Sequence, residues 1–183
     1  MCGSGTLLME AALMALNIAP GSGRDFGFER LLCFDASQWQ TLRDEARAQQ
    51  LAPTPQLIFG RDLFGSSLDD ARANIAAAGL EGVVELKQGN VLEVPAPAAT
   101  GVMVTNPPYG VRIGEQSELA AFYPRLGDWL KRRCAGWRAY ILSADMALPK
   151  LIRLHASRRT PLFNGALECR LFEYRMVAGS ARD

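Results

Sequence analysis

The sequence predicts an α/β domain built on a mostly parallel sheet, with an antiparallel hairpin at its C-terminal end. Three observations carry that expectation. Short apolar runs at 57–60, 83–86 and 101–105 alternate with helix-forming stretches, the pattern of a parallel sheet covered on both faces. A glycine-rich turn, Met1-Cys2-Gly3-Ser4-Gly5-Thr6, runs directly into a helix former. Near the other end, Asn164-Gly165 separates two strand-like runs, the strongest short-range hairpin signal.

In chain order, Leu7 to Leu16 is helical and Pro20-Gly21 stops it. Residues 21–34 form a loop rich in glycine and aromatics. Gln38 to Gln50 is helical, with Trp39 and Leu42 on one face, until Pro53 and Pro55 break it. Leu57-Ile58-Phe59-Gly60 reads as a short buried strand, and Asp62 follows its end. Ser66 to Ala78 is a helix that Gly79 terminates. Val83 to Leu86 is a strand leading to Asn90. After a Pro/Ala-rich linker at 95–100, Gly101 to Thr105 is a buried strand running into Asn106-Pro107-Pro108-Tyr109-Gly110. Ser117 to Cys134 is a helix in which Pro124 demands a first-turn position or a kink. Arg138 to Ser143 is a strand and Met146 to Ile152 a short helix. The hairpin closes the chain: a strand to Phe163, the Asn164-Gly165 turn, and a strand from Ala166 to Val177. In a doubly wound sheet the glycine turn is fed by a central first strand. That strand is expected upstream of Met1, so residues 1–183 read as one domain, truncated at its N-terminus.

At 183 residues and 49% hydrophobic, the chain has the size and apolar content for one packed domain. No apolar run reaches the roughly 18 residues of a membrane span, and no secretion signal opens the chain. Cys2, Cys33, Cys134 and Cys169 form no Cys-x-x-Cys pair, and His155 is the sole histidine, which argues against a metal site. The expectation is a cytoplasmic protein with reduced thiols, no metal and no membrane partner. Net charge is +1 but unevenly spread. Residues 1–100 hold 7 Lys+Arg against 12 Asp+Glu, and residues 101–183 hold 13 against 7. The basic excess gathers at Lys131, Arg132, Arg133 and Arg138, then at Lys150, Arg153, Arg158 and Arg159. Such a half suits phosphates, although each single charge reads better as a solvated surface residue.

Four features carry chemistry. In Gly3-Ser4-Gly5-Thr6 the glycines let backbone approach a ligand, and the following helix start offers free N–H groups to a carboxylate or phosphate. Alone it is a weak signal. Asp62 stands where nucleotide-binding α/β folds place an acid for ribose hydroxyls, or it caps the next helix. Asn90 offers an acceptor for an adenine amino group, or is a turn residue. The strong signal is Asn106-Pro107-Pro108-Tyr109 directly after an apolar strand. An exocyclic amine on a base is a poor nucleophile, because its lone pair is delocalised into the ring. The Asn106 side-chain oxygen and the Pro107 carbonyl can each accept one N–H bond, which drives the nitrogen toward tetrahedral geometry. The prolines hold the turn rigid, and Tyr109 offers a face on which an extruded base stacks, worth ~1–3 kcal/mol. Ligands of open α/β sheets bind beyond the carboxyl ends of the strands, where all four features fall. His155 reads as a surface residue, and Trp39, Trp129 and Trp137 as core or loop anchors.

These motifs resemble the Rossmann-like class I S-adenosylmethionine (SAM) dependent methyltransferases that act on amines. More narrowly, the chain is similar to the catalytic domain of bacterial large-subunit ribosomal RNA guanine-N2 methyltransferases, a family often labelled N6-adenine-specific DNA methylases. There the domain follows an RNA-binding THUMP domain, which this sequence lacks. The likeness covers Met1 to Thr6, Ala19-Pro20-Gly21 with Phe26-Gly27-Phe28, the helix around Trp39, Gly60 to Asp62, Ala71-Arg72-Ala73-Asn74, Asn106 to Gly110 with Arg112, and Asn164 to Cys169. It implies a SAM site formed by Cys2, Gly3, Ser4, Gly5, Thr6, Asp62, Asn90 and Asn106, with Gly3 and Gly5 at the amino-acid end, Asp62 at the ribose and Asn90 at the adenine. It further implies a catalytic turn of Asn106, Pro107, Pro108 and Tyr109. The chain departs from the family in three places: an Asp-Pro expected before Met1 is absent, Asn90 replaces an Asp, and Val111 replaces an acidic residue. The reading is methyl transfer to guanine N2 in large-subunit ribosomal RNA. N6-adenine methylation of DNA, protein-glutamine methylation and a non-catalytic SAM- or RNA-binding module are the alternatives.

Overall fold

A computed structural model describes residues 1–107 and 115–177, with backbone alone at 115–117. The chain divides into two compact units. One comprises Gly3–Gly60 and Gly65–Lys87; the other comprises Met1–Cys2, Arg61–Phe64 and Gln88–Asp183.

The first of these holds helices α1 (Thr6–Ala15), α2 (Ala36–Ala48) and α3 (Gly65–Ala77). Ala12 and Leu16 at the end of α1 are buried with Ile75, Leu80 and Val83 in a small apolar core. Helix α1 stops well before Pro20. Asn17 takes a left-handed φ of 53°, its N–H bonds Met14 O, and the Ile18 N–H reaches back to Leu13 O. This is the Schellman ending, with asparagine in the usual glycine place. Helix α2 begins two residues before the predicted Gln38, because the Asp35 carboxylate accepts from the backbone of Ser37 (2.9 Å) and Gln38 (3.0 Å). Those bonds, with one from the Ser37 hydroxyl, hold Asp35 below the usual carboxylate range. The preceding loop is organised around Trp39, with the Phe28 ring 5.0 Å and the Phe26 ring 5.7 Å away, both edge-on.

Strands β1 (Phe59–Asp62) and β2 (Glu85–Gln88) form a two-stranded sheet. Glu85 N bonds Ile58 O, and Gly89 N bonds Asp62 O; the two bonds advance together along both chains, so the pair is parallel. Both strands start two residues later than predicted. Leu57 is 87% exposed and lies outside β1, and Asp62 is the last residue of β1 rather than a residue beyond it.

The second unit is built on a four-stranded sheet of order β3 (Val102–Thr105), β4 (Arg138–Ser143), β6 (Leu167–Arg175), β5 (Arg158–Asn164). β3 and β4 are parallel; β6 is antiparallel to both β4 and β5. An α/β class with parallel pairs and a terminal antiparallel hairpin is therefore what the chain adopts. Period-two alternation puts Ala139 and Ile141 on the same face as their register partners Tyr174 and Phe172. Leu126 and Leu130 of α4 (Glu115–Arg133) and Leu148 of α5 (Leu148–Leu151) close over that face, all fully buried. The opposite face differs from expectation: Val102 and Val104 are 60% and 49% exposed, so β3 is buried on one side only. Pro124 lies inside α4, not in its first turn. The linker at 95–100 is anchored just before its start by Trp129 Nε1 to Val94 O at 2.8 Å and within it by Trp137 Nε1 to Ala98 O at 3.2 Å.

The hairpin turn is also displaced by one residue. Asn164 pairs with Leu167, so Gly165 and Ala166 make the two-residue loop. Gly165 has φ 62° and Ala166 is not among the positive-φ residues, the sign pattern of a II′ turn with glycine first. On β6, Glu173 accepts from Arg175 Nε at 2.8 Å, with Arg138 and Arg158 near. The Arg175 bond comes first in holding its carboxyl below the usual glutamate value of 4.5. A depressed folded value stabilises above the unfolded one and is lost on acidification through the folded one. The melting temperature is thus expected to fall as pH drops below 4.5. In a Tm-against-pH series Glu173→Gln flattens that acid limb, and an unchanged limb would contradict the assignment.

Candidate functional site

Within the second unit, three chain segments meet at strand ends. The Cys2 N–H donates to Arg61 O at 3.0 Å. The Thr105 hydroxyl, at the end of β3, donates to Met1 O at 3.2 Å. Gly89 N bonds Asp62 O at 2.9 Å, which fixes Asn90 beside the end of β1. Met1–Cys2, Asp62, Asn90 and Thr105–Pro107 are thereby assembled in one unit. The carboxyl end of a parallel strand is where an α/β fold presents its ligand-binding groups.

Asp62 is only 7% exposed. Its Oδ1 accepts from Phe64 N at 3.1 Å, and its Oδ2 lies 3.1 Å from the Met1 nitrogen. The first bond reaches the turn ahead of α3, in keeping with the capping reading of this acid. Asn90 caps a 3₁₀ turn, Val91–Glu93: its Oδ1 accepts from Leu92 N at 3.1 Å and its Nδ2 donates to Glu93 Oε1 at 2.9 Å. An amide oxygen has two lone pairs, so one remains for a ligand donor. Burial pushes the Cys2 thiol pKa up, and the Asp62 carboxylate adds to that shift.

Asn106 follows β3 directly and is exposed, while Pro107 behind it is buried. Pro108, Tyr109, Val111 and Arg112 lie outside the described residues. Thr105 was not singled out in the sequence. Its signal was there, as the one hydroxyl closing an apolar run, and it is buried at 3% exposure.

The glycine turn belongs to the first unit. Gly3 and Gly5 have φ of 54° and 80°, both in the left-handed region. Asn74 of α3 fixes the turn by donating to Ser4 O at 3.0 Å. A Cβ on Gly3 would meet nothing within 4 Å, so the space above it is open to a ligand. Gly5 caps α1 without a side-chain acceptor, leaving the first-turn N–H groups available. At Gly5 a Cβ would stand 3.0 Å from the Ala71 Cβ. Gly5→Ala is therefore expected to cost about 1–2 kcal/mol in strain and overlap. In differential scanning calorimetry the melting point falls by about 2–8 °C; no shift would contradict the close α1–α3 packing.

Among the described residues no group of three or more His, Cys, Asp or Glu is placed to hold a metal, and no helix is long and apolar enough to cross a membrane. His155 is exposed between α5 and β5.

The chain as a whole is similar to known proteins. The family description "RMKL-like, methyltransferase domain" matches residues 1–173. A Shewanella sp. (strain W3-18-1) protein, Ribosomal RNA large subunit methyltransferase K/L, is 40% identical over 185 residues, covering 99% of this chain and 26% of that one. The chain thus spans about a quarter of the length of that relative. The solved structure of SMU.472, complexed with SAH, superposes with TM-score 0.89 and 33% identity, over 96% of this chain and 46% of that one. A Listeria monocytogenes str. 4b F2365 structure, named a predicted N6-adenine-specific DNA methylase, superposes with TM-score 0.85 and 30% identity, over 96% and 45%.

Proposed function

The chain belongs to the family of RMKL-like methyltransferase domains, and from that membership we propose that it transfers a methyl group from SAM to the exocyclic N2 amine of a guanine in large-subunit ribosomal RNA. The observation that carries methyl transfer to an amine is Asn106-Pro107 at the carboxyl end of β3, in the same unit as the buried Asp62 and tied to it through Met1–Cys2. The name of the Shewanella relative favours ribosomal RNA as substrate.

What supports the cofactor reading is the chemistry of residues taken unit by unit: in the second unit the Asp62 carboxylate suits ribose hydroxyls and the Asn90 amide oxygen an adenine amine, and in the first the start of α1 suits a carboxylate. SAM supplies the methyl group as an electrophile. The chain holds the nucleophile: the Asn106 oxygen and the Pro107 carbonyl each accept one N–H of the target amine, and Tyr109 stacks the extruded base. The nitrogen lone pair would thereby be oriented for transfer, in which the new C–N bond forms as the sulfonium C–S bond of SAM breaks, S-adenosylhomocysteine leaves and the amine proton passes to solvent. Positioning and hydrogen-bond polarisation supply the catalysis. The setting is the cytoplasm, where ribosomal RNA is modified without metal or membrane.

The Listeria name favours a second reading, N6-adenine methylation of DNA, because the same turn polarises either amine. One experiment separates them. The gene is deleted in its source, and nucleosides from large-subunit ribosomal RNA and genomic DNA are quantified by mass spectrometry. Loss of N2-methylguanosine is expected. Intact RNA with a fall in DNA N6-methyladenine would transfer the assignment to DNA.

A further inference from the structure

Helix α4 carries Arg125, Asp128, Trp129, Arg132 and Arg133 at spacings that fall on one helical face. With Leu92 they line a cleft of about 270 Å³ that includes none of the residues assigned to cofactor or target amine. Trp129 is 9% exposed and bonded to Val94 O, so with Leu92 it forms an apolar floor rather than a stacking platform. Asp128 lies 3.7 Å from Lys131 Nζ, so its charge is already met. Arg125, Arg132 and Arg133 are exposed, and no ion pair or side-chain hydrogen bond joins their guanidinium groups to another described residue.

Three unpaired guanidinium groups above an apolar floor match a phosphodiester chain. The planar forks take phosphate oxygens, and the floor takes the sugar faces. Arg125 and Arg132 are two turns apart, about 10.5 Å along the axis. A nucleic-acid backbone running along the helix presents more than one phosphate over that length. We propose that this cleft seats the sugar–phosphate backbone of the RNA substrate away from the target base, an inference that rests on the ribosomal RNA reading above. It gives positioning without base readout, and it places part of the basic excess of residues 101–183 in one groove.

The test compares the full-length protein with Arg132→Ala/Arg133→Ala, with the rescue pair Arg132→Lys/Arg133→Lys, and with Lys150→Glu as a control on α5. Binding of a large-subunit ribosomal RNA fragment is titrated across salt concentrations. The alanine pair is expected to weaken RNA binding about tenfold near 0.15 M salt and to make the log–log salt slope shallower by about 1.4. It raises KM for RNA and leaves kcat and SAM affinity unchanged. The lysine pair retains the slope, and Lys150→Glu leaves it unaltered. Unchanged affinity and slope in the alanine pair would overturn the proposal, as would a lower kcat at constant KM or the loss of an acidic protein partner in place of RNA. If the wild-type protein binds the RNA with this salt dependence yet methylates none of it, the ribosomal RNA reading fails alone, because the slope reports the cleft without catalysis.

Discussion

Asn106→Ala is expected to lower single-turnover methyl transfer by at least about 10²–10³-fold, the range seen when one preorganised polar group is taken from a reacting centre. Asn106 is exposed at the end of β3 and Pro107 behind it is buried, so truncation removes the acceptor without opening the core. SAM affinity, read by isothermal titration, is expected to stay within a few-fold of wild type. Retained activity would end the case for an amine-polarising turn. Loss of SAM affinity together with activity would make the cofactor contact, the other role the resemblance implies for Asn106, the dominant one.

Gly127→Ala is expected to be the most damaging single methyl group added to the described core. A Cβ at Gly127 would stand 2.0 Å from the Ile152 carbonyl oxygen and 3.1 Å from its carbon. Both are backbone atoms, and Ile152 is fully buried beside Leu126 and Leu130. No rotamer relieves the overlap, so α4 must separate from the end of α5. Overpacking of a dense core costs typically 1–3 kcal/mol; with backbone as the obstacle about 3 kcal/mol or more is expected. Urea unfolding would show a large drop in midpoint, and a change below about 0.5 kcal/mol would mean that the two helices are not held at this distance.

Much of the architecture was legible because local signals agreed with long-range packing. Arg138 to Ser143 reads as a strand and is one, with burial alternating along it. Gly79 ends α3 as read, with a φ of 68°. The departures have local causes. Asn17 and Asp35 set helix ends through a left-handed backbone and a side-chain cap, and neither disturbs the apolar periodicity from which helices are read. At β1 the apolar run 57–60 marked a strand but not its ends: Leu57 is exposed outside it, and the strand continues through the polar Arg61 and Asp62. The hairpin was legible from Asn164-Gly165, yet its loop is Gly165-Ala166, since glycine suits the first place of a II′ loop. At the site, residue type and order brought forward Asp62, Asn90 and Asn106, and all three lie in one unit. That Thr105 and Met1 bond across strand ends depends on tertiary proximity, which spacing along the chain does not contain.

The outer position of β5 has a consequence for solubility. A strand at the rim of a sheet offers its unpaired backbone groups to any passing chain, and long flat rims template aggregation. Pro161 sits mid-strand, opposite Arg170, and has no N–H to offer. Arg158 and Arg159 at the start of the strand are exposed, so a second copy aligning there would bring like charges together. The rim beside the exposed Leu162 and Phe163 is thereby a poor template for intermolecular β-pairing, and the protein can carry those apolar side chains at its surface without recruiting its own copies into fibres.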